Sequence, residues 1–356
     1  MTMSDFPPGL VLIIGAFLLP IIGQRLRPML TLGLPLLTLY LVWSLPNGTF
    51  STLSLLDYNL AFIQSDSISR LFATVFSIMT FGGSLFALKQ KRVLELVSVF
   101  VYAGSAIGVV FAGDLISLFI FWEIMAVAST VVVLSAGGKR SYQISMRYFF
   151  VHVFGGTLLL IGILSHIVET GSTAFTAMEP NTFGTIFILM GFLINAAAPP
   201  LSAWLSDAYP EASFSGAVFL SAFTTKAAVY VLLRGFPGTE VLIFIGVFMI
   251  FYGIIYALLE NDMRRILAYS IVNQVGFMVT GVGIGTEMAL NGVAAHAFTH
   301  IIYKGLLLMS AGSVLYMTGR RKCTDLGGLF QSMPLTAFCS IIGALSISSF
   351  PLTSGF

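Results

Sequence analysis

Charge is what this sequence most lacks. Of its 356 residues only 9% are Asp, Glu, Lys or Arg, against about 25% in soluble domains, which excludes an ordinary solvated surface. Cysteine is scarce as well. Cys323 and Cys339 have no metal-ligand spacing and form no disulfide framework, so neither an iron–sulfur cluster nor a structural metal is expected. There is no dinucleotide fingerprint, and no basic cluster with interleaved aromatics suggests nucleic acid. The expectation is a chain without cofactor, metal or nucleic-acid partner. A net charge of +2 says nothing further. The opening MTMSDFPPGL lacks a basic n-region, so the first apolar run is expected to be a retained span, not a cleaved signal.

What fills the space is hydrocarbon: 57% of residues are hydrophobic and the mean hydropathy is +0.96. Twelve apolar windows are long enough to approach or cross a core of about 30 Å. They are 8–24, 29–46, 68–88, 93–112, 114–136, 145–168, 183–203, 213–234, 240–259, 266–284, 288–317 and 334–350. Backbone groups find no water in hydrocarbon, so such windows are expected to be helices. The predicted fold is an all-α polytopic membrane protein with about twelve transmembrane helices.

Basic residues alternate between the connections. The odd ones carry Arg25 and Arg27; Lys89, Lys91 and Arg92; Lys139 and Arg140; Arg264 and Arg265; Arg320, Arg321 and Lys322. The even ones carry mainly acids: Asp57, Asp66, Asp114, Glu169, Glu179 and Glu287. The positive-inside rule then puts the odd connections in the cytoplasm and the N-terminus outside. The seventh connection, with Asp207 and Glu211, is an acidic exception.

Few ionisable residues remain inside the windows: Glu123, Lys226, His296, His300 and Lys304, with His152 and His166 on the sixth. His296, His300 and Lys304 repeat every four residues in AHAFTHIIYKGLLLMS. On a helix they share one slowly drifting face spread over about 12 Å of depth. An ionisable group at membrane depth costs roughly 2.5–3.5 kcal/mol on insertion scales and usually lines a water or ion path. Desolvation pushes buried acids and bases toward neutrality while an opposite charge does the reverse, so groups balanced between the two can hand protons on. Plainer readings exist: Glu123 as a structural hydrogen-bonder, Lys226 snorkelling to an interface, the histidines of the sixth window at helix contacts.

The stretches FWEIMAVAS around Glu123, APPLSAWLSDAYPEAS at 198–213, FLSAFTTKAAVYVLLRGF at 219–236, ENDMRRILAYSIVNQVGFM at 260–278 and AHAFTHIIYKGLLLMSAGSV at 295–314 carry a resemblance over roughly residues 60–356. The chain resembles the antiporter-like membrane subunits of respiratory complex I and of Mrp-type multisubunit cation/proton antiporters, with wording nearest the D-type branch of the Mrp subunits. The resemblance implies two five-helix repeats of inverted topology, each with a broken helix, around a polar proton-conducting axis. It implies N-terminal helices over 1–92, a first repeat over 93–234 and an incomplete second repeat over 235–356. By position, Glu123 corresponds to the acidic switch, Lys226 to the connecting lysine, and His296, His300 and Lys304 to the link into the second half-channel. Trp204–Ala212 matches a segment that follows a broken seventh helix; Pro199, Pro200 and Pro210 supply interruptions. This accounts for the acidic exception, and Asp207 joins Asn195 and His152 as further candidates for the proton path.

Two departures stand out. Many relatives place a lysine nine residues before the motif tryptophan, where this chain has Asn195; Glu123 is left to pair with Lys226 or to load its proton directly. The chain also stops at PLTSGF, short of the charged group and helices that follow in relatives, so the expectation is that either another polypeptide completes the second repeat or the chain is a truncated or split product. The resulting expectation is a proton-conducting subunit of a multisubunit Na+/H+ antiporter in the cell membrane, associated with other membrane subunits. A proton-pumping subunit of a complex I-type redox enzyme, or a scaffold that no longer transports, are the alternatives. No redox site is expected on this chain.

Overall fold

The polar residues left between the apolar windows are the ones that start helices. In the computed structural model, which describes residues 6–55 and 58–356, Asp66 caps α3 (Ser67–Phe86) through a reciprocal bond with Ser69. Asp114 caps α5 (Leu115–Leu134) through the Ser117 amide at 2.8 Å, and Thr182 caps α7 (Phe183–Asn195). Asp262 and Thr286 do the same for α12 (Met263–Ile284) and α13 (Glu287–Thr318). Each cap satisfies amides that hydrocarbon would otherwise leave bare. Asp57, counted with the acids of the even connections, lies outside the described residues.

The twelve windows are helical over most of their lengths. Ahead of α3 come α1 (Pro8–Leu18) and α2 (Arg27–Ser44). Then follow α4 (Val93–Phe111), α5 and the 32-residue α6 (Lys139–Thr170). Beyond α7 lie α8 (Ala203–Glu211), α9 (Gly216–Ala222), α10 (Thr224–Gly235) and α11 (Val241–Leu259). After α12 and α13 come α14 (Leu329–Ser332) and α15 (Pro334–Ile347). Among the described residues eight helical stretches are long and apolar enough to cross a membrane, and α1, α7 and α15 are shorter apolar helices. The protein is an integral, all-α membrane protein.

Two details depart from the sequence reading. The connection before α3 is an antiparallel hairpin, β1 (Gly48–Leu55) with β2 (Tyr58–Ser65), tied to α5 by Asp114, whose carboxylate accepts the Ala61 amide at 2.8 Å. The eighth window is broken at Phe223, between α9 and α10. The discontinuity expected near 195–210 is present: the seventh window stops at Asn195, and the chain turns through 196–202 before α8.

The buried centre is that broken eighth window, wholly enclosed by its neighbours. Helices approach closely where glycines remove side chains. A Cβ on Gly162 of α6 would stand 2.6 Å from the Ile188 amide of α7, and one on Gly253 of α11 would overlap the Asn273 amide of α12. Close backbone approach of this kind holds helices together where burial from water gives no driving force.

The acidic α8 sits among the basic connections. Glu211 pairs with Arg140 and Arg321, and Asp207 with Arg147 and Arg265. The seventh connection therefore lies on the same side of the bundle as the other odd ones, its charge neutralised by theirs. Its following loop is clamped twice. The buried Arg264 guanidinium donates to the carbonyls of Pro210, Ala212 and Ser213 at 2.8–2.9 Å. The buried Glu95 carboxylate accepts the hydroxyls of Ser213 and Ser215 at 2.6 and 2.7 Å and the Gln90 amide at 3.0 Å.

Candidate functional site

A helix broken inside hydrocarbon leaves carbonyls without amide partners, and this chain answers the break at Phe223 with a lysine. Lys226 is fully buried; its ammonium donates to the Ser221 carbonyl at 2.8 Å and to the Thr225 hydroxyl at 3.1 Å. Lys226 has no carboxylate partner among the described residues. It is a buried cation held only by neutral oxygens, an expensive arrangement unless its charge can leave as a proton.

The second group lies on α13. His300 and Lys304 are fully buried and His296 is half-buried. The partners of Lys304 and His296 come from one face of α12: Lys304 donates to the Ser270 hydroxyl at 2.8 Å, and His296 Nε2 meets Gln274 Oε1 at 2.9 Å. Gln274 is oriented by donating to Asn273 Oδ1 at 3.0 Å; an amide oxygen only accepts, so His296 carries its proton on Nε2. The His300 ring sits between, 6.1 Å from His296 and edge-on to Tyr303 at 5.2 Å. Neither of its nitrogens has a partner among the described residues. Lys226 lies within electrostatic reach of Lys304, His296 and His300, so α10 and α13 bring the four basic groups into one interior zone.

Glu123 is half-buried on α5 and lines a cavity of about 350 Å³ with Val97, Ser98 and Val101 of α4. Its Oε1 is buried and unpartnered among the described residues. It lies against Gly156 of α6, where any Cβ would collide with it. Of the two alternatives for Glu123, pairing with Lys226 or loading its proton directly, the first is not formed in this structure: among the described residues no salt bridge includes either residue.

Asn195, at the end of α7, is fully buried, and among the described residues both its polar side-chain atoms are unpartnered. His152 of α6 is buried, its Nδ1 on the Tyr148 carbonyl at 2.9 Å and its Nε2 without a partner among the described residues. Asp207 is not brought to this interior; its carboxylate is held by Arg147 and Arg265 at the edge of the bundle. His166 is half-buried, its Nδ1 likewise without a partner among the described residues.

Reading only formal charges missed the neutral partners. Ser270 and Gln274 are four apart on α12, a one-face spacing inside an apolar span that could have identified them. Arg264, read from the sequence as a residue of a connection, is buried, and so is Glu95, which the sequence reading does not single out.

A family described as NADH:quinone oxidoreductase/Mrp antiporter, TM, matches residues 112–356. The chain is 32% identical over 270 residues to the D subunit of the Na(+)/H(+) antiporter of Alkalihalophilus pseudofirmus, covering 70% of this chain and 54% of that one. It is equally, 32%, identical over 271 residues to the N subunit of the NADH-quinone oxidoreductase of Desulforudis audaxviator, again covering 70% and 54%. The chain spans about half the length of these curated relatives. In fold it is similar to a chain of the membrane-bound sulfane sulfur reductase, an archaeal respiratory membrane complex, with a TM-score of 0.89 at 23% identity over 99% of this chain and 79% of that one. A chain of the Mrp complex from Dietzia sp. gives 0.85 at 22% identity, covering 99% and 72%.

Proposed function

Since the chain belongs to the NADH:quinone oxidoreductase/Mrp antiporter membrane family, we propose that it conducts protons through its interior as a subunit of a multisubunit Na+/H+ antiporter. The proton path runs from Glu123 through Lys226 to His296, His300 and Lys304. The observation that carries this reading is the burial of Lys226, His300 and Lys304, the two lysines held only by neutral hydroxyls and a carbonyl, with no salt bridge to a carboxylate among the described residues. Bases so placed can gain and lose protons without first breaking an ion pair, whereas structural charges at membrane depth are normally paired. His300 adds a second support: a ring with two unpartnered nitrogens is suited to solvent on both sides, which is what a relay needs.

The division into N-terminal helices (1–92), a first conducting repeat (93–234) and a second repeat from 235 belongs to this reading. So do placement in the cell membrane with the N-terminus outside, and assembly with other membrane subunits. A redox-driven version has equal support among relatives, because the quinone-reductase relative matches this chain as well as the antiporter relative does. In that version electron transfer on other subunits drives the same path.

The test is proton flux, followed with a pH-sensitive dye in membrane vesicles that contain the whole assembly. Glu123→Gln and Lys226→Ala are each expected to remove most of it. Flux that survives both substitutions leaves a scaffold. Dependence on Na+ against dependence on an electron donor separates the two drives.

A further inference from the structure

We propose that His152, working through solvent held by Asn195, is a proton-carrying residue of the first half of the path, the position where a charged group at 195 is missing. This rests on the proton-conducting reading above and adds a carrier to it.

His152 is held in a single tautomer. A backbone carbonyl only accepts, so the 2.9 Å contact between His152 Nδ1 and the Tyr148 oxygen puts the ring's hydrogen on Nδ1 and leaves a lone pair on Nε2. The ring is fixed in that orientation. It stacks on Tyr148 at 4.0 Å and 21°, and meets Trp204 edge-on at 4.6 Å. Tyr148 is anchored by its hydroxyl on Ser129 at 3.0 Å, and Trp204 by its indole N–H on the Ile194 carbonyl at 3.0 Å. The residue after that carbonyl is Asn195.

Three helices therefore bring unpartnered polar atoms to one place. Gly155 and Gly156 follow His152 by three and four residues, on the same face of α6. A Cβ on Gly155 would lie 3.7 Å from Asn195 Oδ1, and one on Gly156 would run into Glu123 Oε1. His152 Nε2, both polar atoms of Asn195 and Glu123 Oε1 are all buried without protein partners among the described residues. Leaving a single buried polar group unmet costs about 1–3 kcal/mol, and four such atoms in one region are tolerable only with solvent between them. Asn195 can donate to and accept from such solvent at once, but holds no proton of its own. His152 can. In the transfer an N–H bond forms at Nε2 as the O–H bond of a hydronium or of the Glu123 carboxylic acid breaks. The same bond breaks on release, while the other hydrogen stays covalently on Nδ1, donated to the Tyr148 carbonyl, and no change of oxidation state occurs.

The experiment uses vesicles from cells that express the full chain with its native membrane partners, with assembly checked by native gel. His152→Gln keeps a polar side chain of similar reach without an exchangeable charge and is expected to lower proton flux at least tenfold. Adding Asn195→Lys to it supplies a titratable group on the other side of the same solvent and is expected to restore flux to within about threefold. A merely structural role for His152 would not respond to a lysine at 195, so a loss that Asn195→Lys leaves unrestored overturns the proposal, as does full flux in His152→Gln. Should His152→Gln fail to assemble, Asn195→Leu decides with His152 intact: a tenfold loss supports the proposal and unchanged flux overturns it. Glu123→Gln and Lys226→Ala, run in parallel, separate the readings. If both keep their flux the conduction reading itself fails, and if they lose flux while His152→Gln does not, only the carrier role is lost.

Discussion

The ammonium of Lys226 lies 2.8 Å from the carbonyl oxygen of Ser221, five residues back across the break between α9 and α10. The pair joins the fold to the chemistry, because the carbonyl exists as a free acceptor only where the helix is interrupted. The same side chain thus closes a structural gap and offers a proton.

Those two roles are separable by substitution. In Lys226→Gln an amide N–H can still reach toward Ser221, so the thermal midpoint in detergent is expected to stay close to that of the parent, while flux falls at least tenfold. Lys226→Met is expected to lose flux and also roughly 1–3 kcal/mol of stability, the cost of an unmet buried carbonyl. Equal stability of the two variants would show that the bond to Ser221 contributes nothing.

Gly156 controls where Glu123 can point. The Cβ of Gly156→Ala would overlap Glu123 Oε1, so the carboxylate must turn away. A carboxylate is the far end of a flexible side chain, which keeps the stability change within about 1 kcal/mol. Flux is expected to drop severalfold, and dye measurements on assembled vesicles read it directly.

The loop after α8 is held by a guanidinium that spans three carbonyls. A lysine ammonium is a point donor and cannot reproduce that fork. Arg264→Lys is therefore expected to cost roughly 2 kcal/mol and Arg264→Ala roughly 3 kcal/mol, from bonds to a charged donor worth about 1.5–3 kcal/mol each. Glu95→Ala, which strips the other side of the clamp, should show a similar loss. Thermal unfolding followed by tryptophan fluorescence gives the comparison.

Acid should weaken the cap of α3. Burial by itself pushes the Asp66 carboxyl up, but the Ser69 amide and the Arg234 guanidinium, whose contact with it is 2.7 Å, outweigh that and hold it below the ordinary carboxylate value. The unfolded chain then takes up the proton first. Asp66's contribution is complete above the ordinary carboxylate value and is lost as pH falls through the lower folded one. Water reaches part of this pair, so the effect is expected to be about 0.5–1 kcal/mol. Asp66→Asn should flatten the acid limb of a stability-against-pH curve by that amount, and an unchanged limb would count against it.

The sequence by itself determined the class. Windows of hydrocarbon length leave helices as the only way to satisfy the backbone in a membrane, and the spacing of His296, His300 and Lys304 placed all three on one helix, as α13 has them. Glu123 and Lys226 stood out because charge at membrane depth is costly. Tertiary structure decided what each of them meets. The break at Phe223, hidden inside an unbroken apolar run, is what gives Lys226 its partner. The resemblance accounted for the acidic seventh connection as a segment after a broken helix, but its partners Arg140, Arg147, Arg265 and Arg321 are assembled only by the folding of α8 among them. Ser270 and Gln274 share a face by their spacing, but that they meet Lys304 and His296 is decided only when α12 turns them toward α13. Hydrophobicity is a property of each residue and can be read one position at a time. Whether a polar atom has a partner depends on helices far apart in the chain, and only packing settles it.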